Sequence, residues 1–186
     1  MNQLGLPLAL NTKMLWRNFS GDKNQQIIEF LANLFGQPSA SVVYVYGGKS
    51  SGKTHLLQGC AFEALERSPR VVYLDFAQEM PDGILNGLED NDWICIDNVN
   101  RLDENQQQEL FDLYNRAAHT SVKLIVSGPV LPNELTLLKD LKTRLSLATI
   151  FCLESPDDKS KKDIIQQQMN ERNLKIDRKI YDYLDR

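Results

Sequence analysis

From Gly47 to Thr54 the chain reads Gly-Gly-Lys-Ser-Ser-Gly-Lys-Thr, the spacing G-x-x-x-x-G-K-[ST]. The run before it, Val42–Tyr46, is β-branched and aromatic and reads as a strand. The run after it, Lys53–Arg67, reads as a helix. A strand, a glycine-rich turn and a helix in that order make a cradle for phosphate. Glycines let the main chain curl so that successive N–H groups point inward at phosphate oxygens. The helix start adds the positive end of its dipole. A lysine at position 53 reaches the β- and γ-phosphates, and the Thr54 hydroxyl can hold Mg²⁺. Gly47, Gly48, Lys49, Ser50, Ser51, Gly52, Lys53 and Thr54 are therefore the candidate nucleotide-binding residues, with His55 in the first turn behind them. A chance glycine-rich turn has the four fixed positions of an eight-residue motif and both flanks against it.

The rest of the chain alternates in the same manner. Ile27, Ile28, Leu31, Leu34 and Phe35 form one helical stripe over 24–35, ended by Gly36 and Pro38. Strands are expected at Arg70–Asp75, Trp93–Asp97, Val122–Ser127 and Thr149–Leu153, and helices at Glu104–His119 and Asn133–Leu145. Strands that are apolar throughout and alternate with helices imply a five-stranded parallel sheet covered on both faces, an α/β fold. Residues 1–15 lack periodicity and read as an N-terminal arm. Residues 16–155 are the expected nucleotide-binding domain. From 156 the character changes to charged helix, and the pattern runs to Arg186 without a cap, so residues 156–186 are expected to be the beginning of an incomplete helical domain.

Charge narrows the partners. The balance is 21 − 25 = −4, and between Asp75 and Glu109 ten acids face a single base, Arg101. Such a surface repels phosphate, so contact with DNA is expected to be mostly indirect. No apolar run approaches the roughly 18 residues of a membrane span, and the start MNQLGLPLAL lacks a basic region and a continuous apolar stretch, so neither a span nor a signal peptide is expected. Cys60, Cys95 and Cys152 are widely spaced and set among apolar residues; they read as buried thiols of a reducing, cytoplasmic compartment.

A nucleoside triphosphatase also needs an acid for its metal. Trp93-Ile94-Cys95-Ile96-Asp97 is an apolar strand with a carboxylate at its C-terminal end, and Asp97 is expected to bind Mg²⁺ through water. The next residue is Asn98. An amide positions water but does not take its proton, and general-base help is worth about 10²–10⁴-fold, or about 3–5 kcal/mol of barrier. Nucleotide binding with weak or absent intrinsic hydrolysis follows, unless another residue serves as base.

These residues resemble the AAA+ family and, within it, the DnaA/Hda clade. The resemblance rests on Gly-Lys-Thr-His-Leu-Leu at 52–57, the lead-in Phe19-Ser20-Gly21-Asp22-Lys23-Asn24-Gln25, Cys95-Ile96-Asp97-Asn98, Phe111-Asp112-Leu113-Tyr114-Asn115 and Leu141-Lys142-Thr143-Arg144-Leu145. It implies an AAA+ P-loop NTPase fold with the start of a helical lid, and ADP or ATP with Mg²⁺ as ligands. It implies that Arg144 is an arginine finger, offered in trans to a neighbouring AAA+ subunit; the plainer alternative is a surface salt bridge with Asp140 or Glu154. Ser127 stands where the family carries its first sensor, although Pro129 departs from the clade's acid two residues on. The second sensor arginine is expected beyond Arg186.

Gln3-Leu4-Gly5-Leu6-Pro7-Leu8 resembles the peptide with which such regulators bind the sliding clamp, the β subunit of DNA polymerase III. Gln3 would hydrogen-bond at a groove edge, Leu4, Leu6 and Leu8 would anchor in an apolar pocket, and Pro7 limits the freedom lost on docking. An arm packing on its own domain is the alternative. The resemblance implies a regulator of replication initiation that acts on DnaA, associates with the nucleoid through the clamp, and is a candidate homo-oligomer. Two other readings compete: a DnaA- or DnaC-like replication ATPase or helicase loader with its own turnover, and a scaffold that has lost its ligand.

Overall fold

A computed structural model describes residues 10–11, 13–19 and 24–156, with residues 162 and 166. The clamp-type peptide Gln3–Leu8, residues 20–23 of the lead-in and nearly all of the expected lid lie outside the described residues.

Five parallel strands form one sheet: β1 (Ser41–Tyr46), β2 (Val71–Asp75), β3 (Trp93–Asp97), β4 (Lys123–Gly128) and β5 (Thr149–Cys152). Their spatial order is β2-β3-β4-β1-β5. Among the described residues it is covered by α1 (Gln25–Leu34), α2 (Lys53–Leu65), α3 (Glu104–Ala117) and α4 (Lys139–Ser146). β3 and β4 are buried along their whole length, which is why they read as continuous apolar runs. The period of two sorts their side chains into two cores. Tyr44, Ile94, Ile96, Leu124 and Val126 face Leu110, Leu113, Leu141 and Leu145 of α3 and α4. Val43, Val45, Cys95 and Ile125 face Ile27 and Leu31 of α1 and Leu57, Cys60, Ala61 and Ala64 of α2.

Local chemistry sets the helix ends. Asp103 and Gln106 form a capping box at the start of α3, each satisfying the other's main-chain N–H. Asn24 exchanges two hydrogen bonds with the main chain of Glu154, at 3.1 and 3.2 Å, and so ties the start of α1 to the exit from β5.

α2 is apolar on nearly every side, with Leu56 through Ala61 all buried. The sheet covers one flank. The other lies under a strap, residues 10–11 and 13–19, most of which the sequence pattern assigned to an N-terminal arm. Trp16 Nε1 donates to the Leu56 carbonyl at 3.2 Å, and the Asn11 N–H donates to Gln58 Oε1 at 2.9 Å. A Cβ on Gly59 would stand 2.4 Å from Trp16 Cδ1, so only glycine admits the indole.

Two expectations need correction. The helix expected at Asn133–Leu145 begins only at Lys139, after a 3-10 turn at Pro132–Glu134. Leu135 is extended and Leu138 is not helical, and the Leu138 N–H donates to Gln107 Oε1 at 2.8 Å instead of to a helical carbonyl. Among the cysteines, Cys60 and Cys95 are buried but Cys152 is exposed, because β5 is an edge strand. Among the described residues no helix is long and apolar enough to cross a membrane.

Candidate functional site

The loop from Gly47 to Gly52 joins β1 to α2 at the C-terminal edge of the sheet. Two of its residues are left-handed, Ser50 at φ 62° and Gly52 at φ 97°. Such reversals turn neighbouring N–H groups toward one centre. Gly47 is needed for space: a Cβ there would lie 2.5 Å from the Leu153 carbonyl and 2.7 Å from Ser51 Oγ. At Gly52 the positive φ coincides with the Phe19 ring, 2.9 Å from where a Cβ would stand. Gly48, Lys49 and Ser50 are exposed, whereas Ser51 is buried.

Lys53 folds back across the loop. Its ammonium donates to the carbonyls of Gly47 and Gly48 at 2.7 and 2.8 Å, and more weakly to Ser51 Oγ at 3.4 Å. Partial burial holds its pKa below the ordinary lysine value, while the nearby Asp97 carboxylate pulls the other way. The Thr54 side chain is half-buried at the first turn of α2, and its hydroxyl has no hydrogen-bond partner among the described residues. His55 turns the other way: its Nε2 lies 2.9 Å from the Leu15 carbonyl, and its ring meets Phe19 edge-on at 5.3 Å. The strap thus accounts for His55.

Asp97 is fully buried at the end of β3. Its Oδ1 accepts from Ser127 Oγ and from the Asn98 N–H at 3.0 Å; its Oδ2 accepts from the Tyr73 hydroxyl at 3.1 Å. Oδ2 keeps one lone pair free. That spare acceptor and the unpartnered Thr54 hydroxyl are hard oxygen donors of the kind Mg²⁺ selects, and either would hold it directly or through water. The residues therefore fit a metal brought in by phosphate. Among the described residues no cluster of three or more His, Cys, Asp or Glu offers an all-protein metal cage.

Ser127 is buried between Asp97 and Asn98, donating to the first and accepting the second's N–H at 3.2 Å. Asn98 occupies the left-handed region at φ 61°, ψ 48°, a conformation asparagine tolerates better than most residues. Its Nδ2 donates to Asp75 Oδ1 at 2.7 Å. Asp75 closes β2 in direct register with Asp97, so the two acids sit side by side with the amide across them. Sequence reasoning missed Asp75, Tyr73 and Gln58. The one available signal was a second acid at a strand end.

Arg144 lies in the last turn of α4, remote in sequence from the loop, and is exposed. Its guanidinium stands 6.0 Å from the centroid of the Phe111 ring. Neither Asp140 nor any other carboxylate among the described residues pairs with it. The salt-bridge alternative finds no support there.

Comparison with known proteins matches this geometry. Residues 10–151 match the family described as the bacterial DnaA ATPase domain. A replication initiator DnaA bound to AMPPCP and single-stranded DNA is 27% identical, with a TM-score of 0.77, over 95% of this chain and 60% of that one. AMPPCP-bound DnaA from Aquifex aeolicus is 28% identical, with a TM-score of 0.77, over 95% of this chain and 61% of that one. Domain III of the Thermotoga maritima initiator DnaA shares the fold, at 23% identity and a TM-score of 0.78, over 94% of this chain and 80% of that one. The chain thus spans about three fifths of the length of the first two. With its strand order, its phosphate loop and its buried acid at the end of β3, this chain belongs to the bacterial DnaA ATPase-domain family.

Proposed function

We propose that the chain is a nucleotide-binding regulator of the Hda type. It holds ADP or ATP with Mg²⁺ on the Gly47–Thr54 loop, tethers itself to the sliding clamp through Gln3, Leu4, Leu6, Pro7 and Leu8, and offers Arg144 to the ATP of a neighbouring DnaA. One observation carries this reading. Lys53 and the buried Asp97 lie within electrostatic reach of each other, while the residue after the acid is an amide already bonded to Asp75. Such a site binds polyphosphate and sets an amide, which takes no proton, at the position after the acid.

Bound Mg²⁺ would neutralise phosphate charge; the chain's residues do the rest. The loop N–H groups and Lys53 bind the phosphates, with Lys53 exchanging its two carbonyl partners for phosphate oxygens. Asp97 and Thr54 would hold the metal, directly or through water. Arg144, exposed and without a carboxylate partner among the described residues, is available to a second molecule. An arginine aimed at a developing γ-phosphate charge is worth about 10³–10⁵ in rate. Tethering to the clamp supplies local concentration without new contacts.

The test adds the protein, clamp and DNA to ATP-loaded DnaA and follows hydrolysis. Stimulation that depends on Arg144 and on residues 1–8 supports the proposal; full stimulation without either overturns it. A second reading, a replication ATPase with its own turnover, is favoured by Asp75, which stands beside Asp97 and could act as base. Steady hydrolysis lost in both Lys53→Ala and Asp75→Asn would establish it.

A further inference from the structure

A chain of hydrogen bonds runs from the strap to the buried acid. The Asn11 N–H donates to Gln58 Oε1 at 2.9 Å, Gln58 Nε2 donates to the Tyr73 hydroxyl at 3.4 Å, and that hydroxyl donates to Asp97 Oδ2 at 3.1 Å. Its polarity is forced at both ends. A main-chain N–H only donates, which fixes the orientation of the Gln58 amide. An ionised carboxylate only accepts, which fixes the direction of the Tyr73 hydroxyl. Each link therefore depends on the one before it. Gln58 is buried under the strap, on the helix that the phosphate loop opens, and Tyr73 sits mid-strand on β2. Neither touches the loop itself in any hydrogen bond given by the structure.

The strap is tied to that same helix at two further points, the Leu56 carbonyl through Trp16 and the His55 ring through the Leu15 carbonyl. Residues 55, 56 and 58, all within six positions of Gly52, are thus held from one side by the strap. We propose that Gln58 and Tyr73 are positioning residues that carry the seating of the strap to Asp97 Oδ2, so that docking of the strap on α2 and binding of a magnesium–nucleotide reinforce each other. The proposal deepens the nucleotide-binding reading and rests on it. By reciprocity, seating of the strap and binding of magnesium–nucleotide change each other's equilibrium by the same factor.

The physical basis is orientation of a metal-facing carboxylate by its hydrogen-bond partners, whose loss typically costs about 10–100-fold in metal affinity. The experiment uses the full chain and fluorescent ADP, titrated with Mg²⁺ and with EDTA. Amide hydrogen exchange of residues 10–19 is measured in both conditions. Tyr73→Phe keeps the ring and removes only the hydroxyl; Gln58→Met keeps the side-chain length and removes both polar atoms. Both variants are checked for a single cooperative melt well above the assay temperature.

In the unmodified protein, Mg²⁺ with ADP tightens binding and slows exchange across the strap. In Tyr73→Phe the Mg²⁺-dependent part of the affinity falls by about tenfold or more, the affinity in EDTA stays unchanged, and strap exchange no longer responds to Mg²⁺. Gln58→Met loses the strap response as well. An equal Mg²⁺ effect on affinity and on strap exchange in Tyr73→Phe and the parent overturns the coupling while leaving nucleotide binding intact. Absence of ADP binding by the parent protein overturns the underlying reading and the coupling with it.

Discussion

Replacing Arg144 with alanine separates a catalytic role from a structural one. The side chain is exposed, pairs with no carboxylate among the described residues, and stands 6.0 Å from the Phe111 centroid. At that distance and exposure a cation–π contact is worth about 0.5–1 kcal/mol. The helix is not weakened by the change, since alanine is the best helix former. The dipole at the end of α4 loses a favourable cation worth about 0.3–1 kcal/mol. The total cost to folding is therefore about 1–2 kcal/mol at most, which for a chain of 186 residues lowers Tm by roughly 2–8 °C. The expected loss of stimulated DnaA hydrolysis is far larger, about 10³-fold or more, equivalent to about 4 kcal/mol of barrier. A thermal melt reads the first quantity and phosphate release from ATP-loaded DnaA reads the second. Arg144→Lys serves as control: it keeps the charge but loses the planar fork, so it restores stability without restoring full stimulation. Full stimulation by the alanine variant, or loss only in proportion to unfolding, refutes the reasoning.

Other consequences follow from the same contacts. Gly59→Ala drives a Cβ into the Trp16 indole, so the strap is expected to lift at a cost of about 1–3 kcal/mol, seen as a lower Tm and a shifted Trp16 emission. Lys123 is buried, with its ammonium donating to the carbonyls of Gln37, Ser39 and Ser121. Lys123→Met removes three charge-assisted hydrogen bonds to carbonyls of exposed residues and should cost about 1–3 kcal/mol by chemical denaturation; a change under about 0.5 kcal/mol would contradict it. Burial raises the Tyr44 phenol above its ordinary value of 10.0, and its hydroxyl donates to the Val130 carbonyl at 2.8 Å. The folded state then holds this proton more tightly than the unfolded one. Its contribution is fully present below about pH 10 and is lost as pH rises further. Tyr44→Phe should flatten that alkaline decline in a series of melts, and an unchanged decline would exclude Tyr44 as its source.

The parts of this molecule that repeat were legible in the chain. β3 and β4, buried on both faces, announce themselves as apolar runs, and Gly47–Thr54 carries its fold context on either side. Asp97 was readable only beside the phosphate loop: an acid ending an apolar strand is common, and the loop supplies the phosphate-borne metal that gives it a role. The helix expected from Asn133 failed because Leu135, Leu138, Leu141 and Leu145 keep an apolar spacing that suits a helix, while the side chain of Gln107 captures the Leu138 N–H and delays the start. The strap was hidden for a different cause. An irregular segment that covers a helix has no period of its own, and its only trace lies in α2, where Gly59, Cys60 and Ala61 are too small and too apolar for an exposed face. Tyr73 and Gln58 could not have been found this way, since a polar residue inside a strand or helix says nothing about the partner across the core. Asn98 gained a second meaning: its left-handed backbone suits asparagine whether or not water is ever positioned there.

The central claim is that bent main chain beside Lys53 holds adenine nucleotide. Titration calorimetry of the purified protein with Mg²⁺ and ADP tests it most directly, with Lys53→Ala in parallel. One site per chain is expected, lost or greatly weakened in the variant, with about 2.7 kcal/mol of added stability at 100 times Kd. Heat-silent mixing at millimolar ADP with no accompanying rise in Tm, or equal binding by Lys53→Ala, would contradict it.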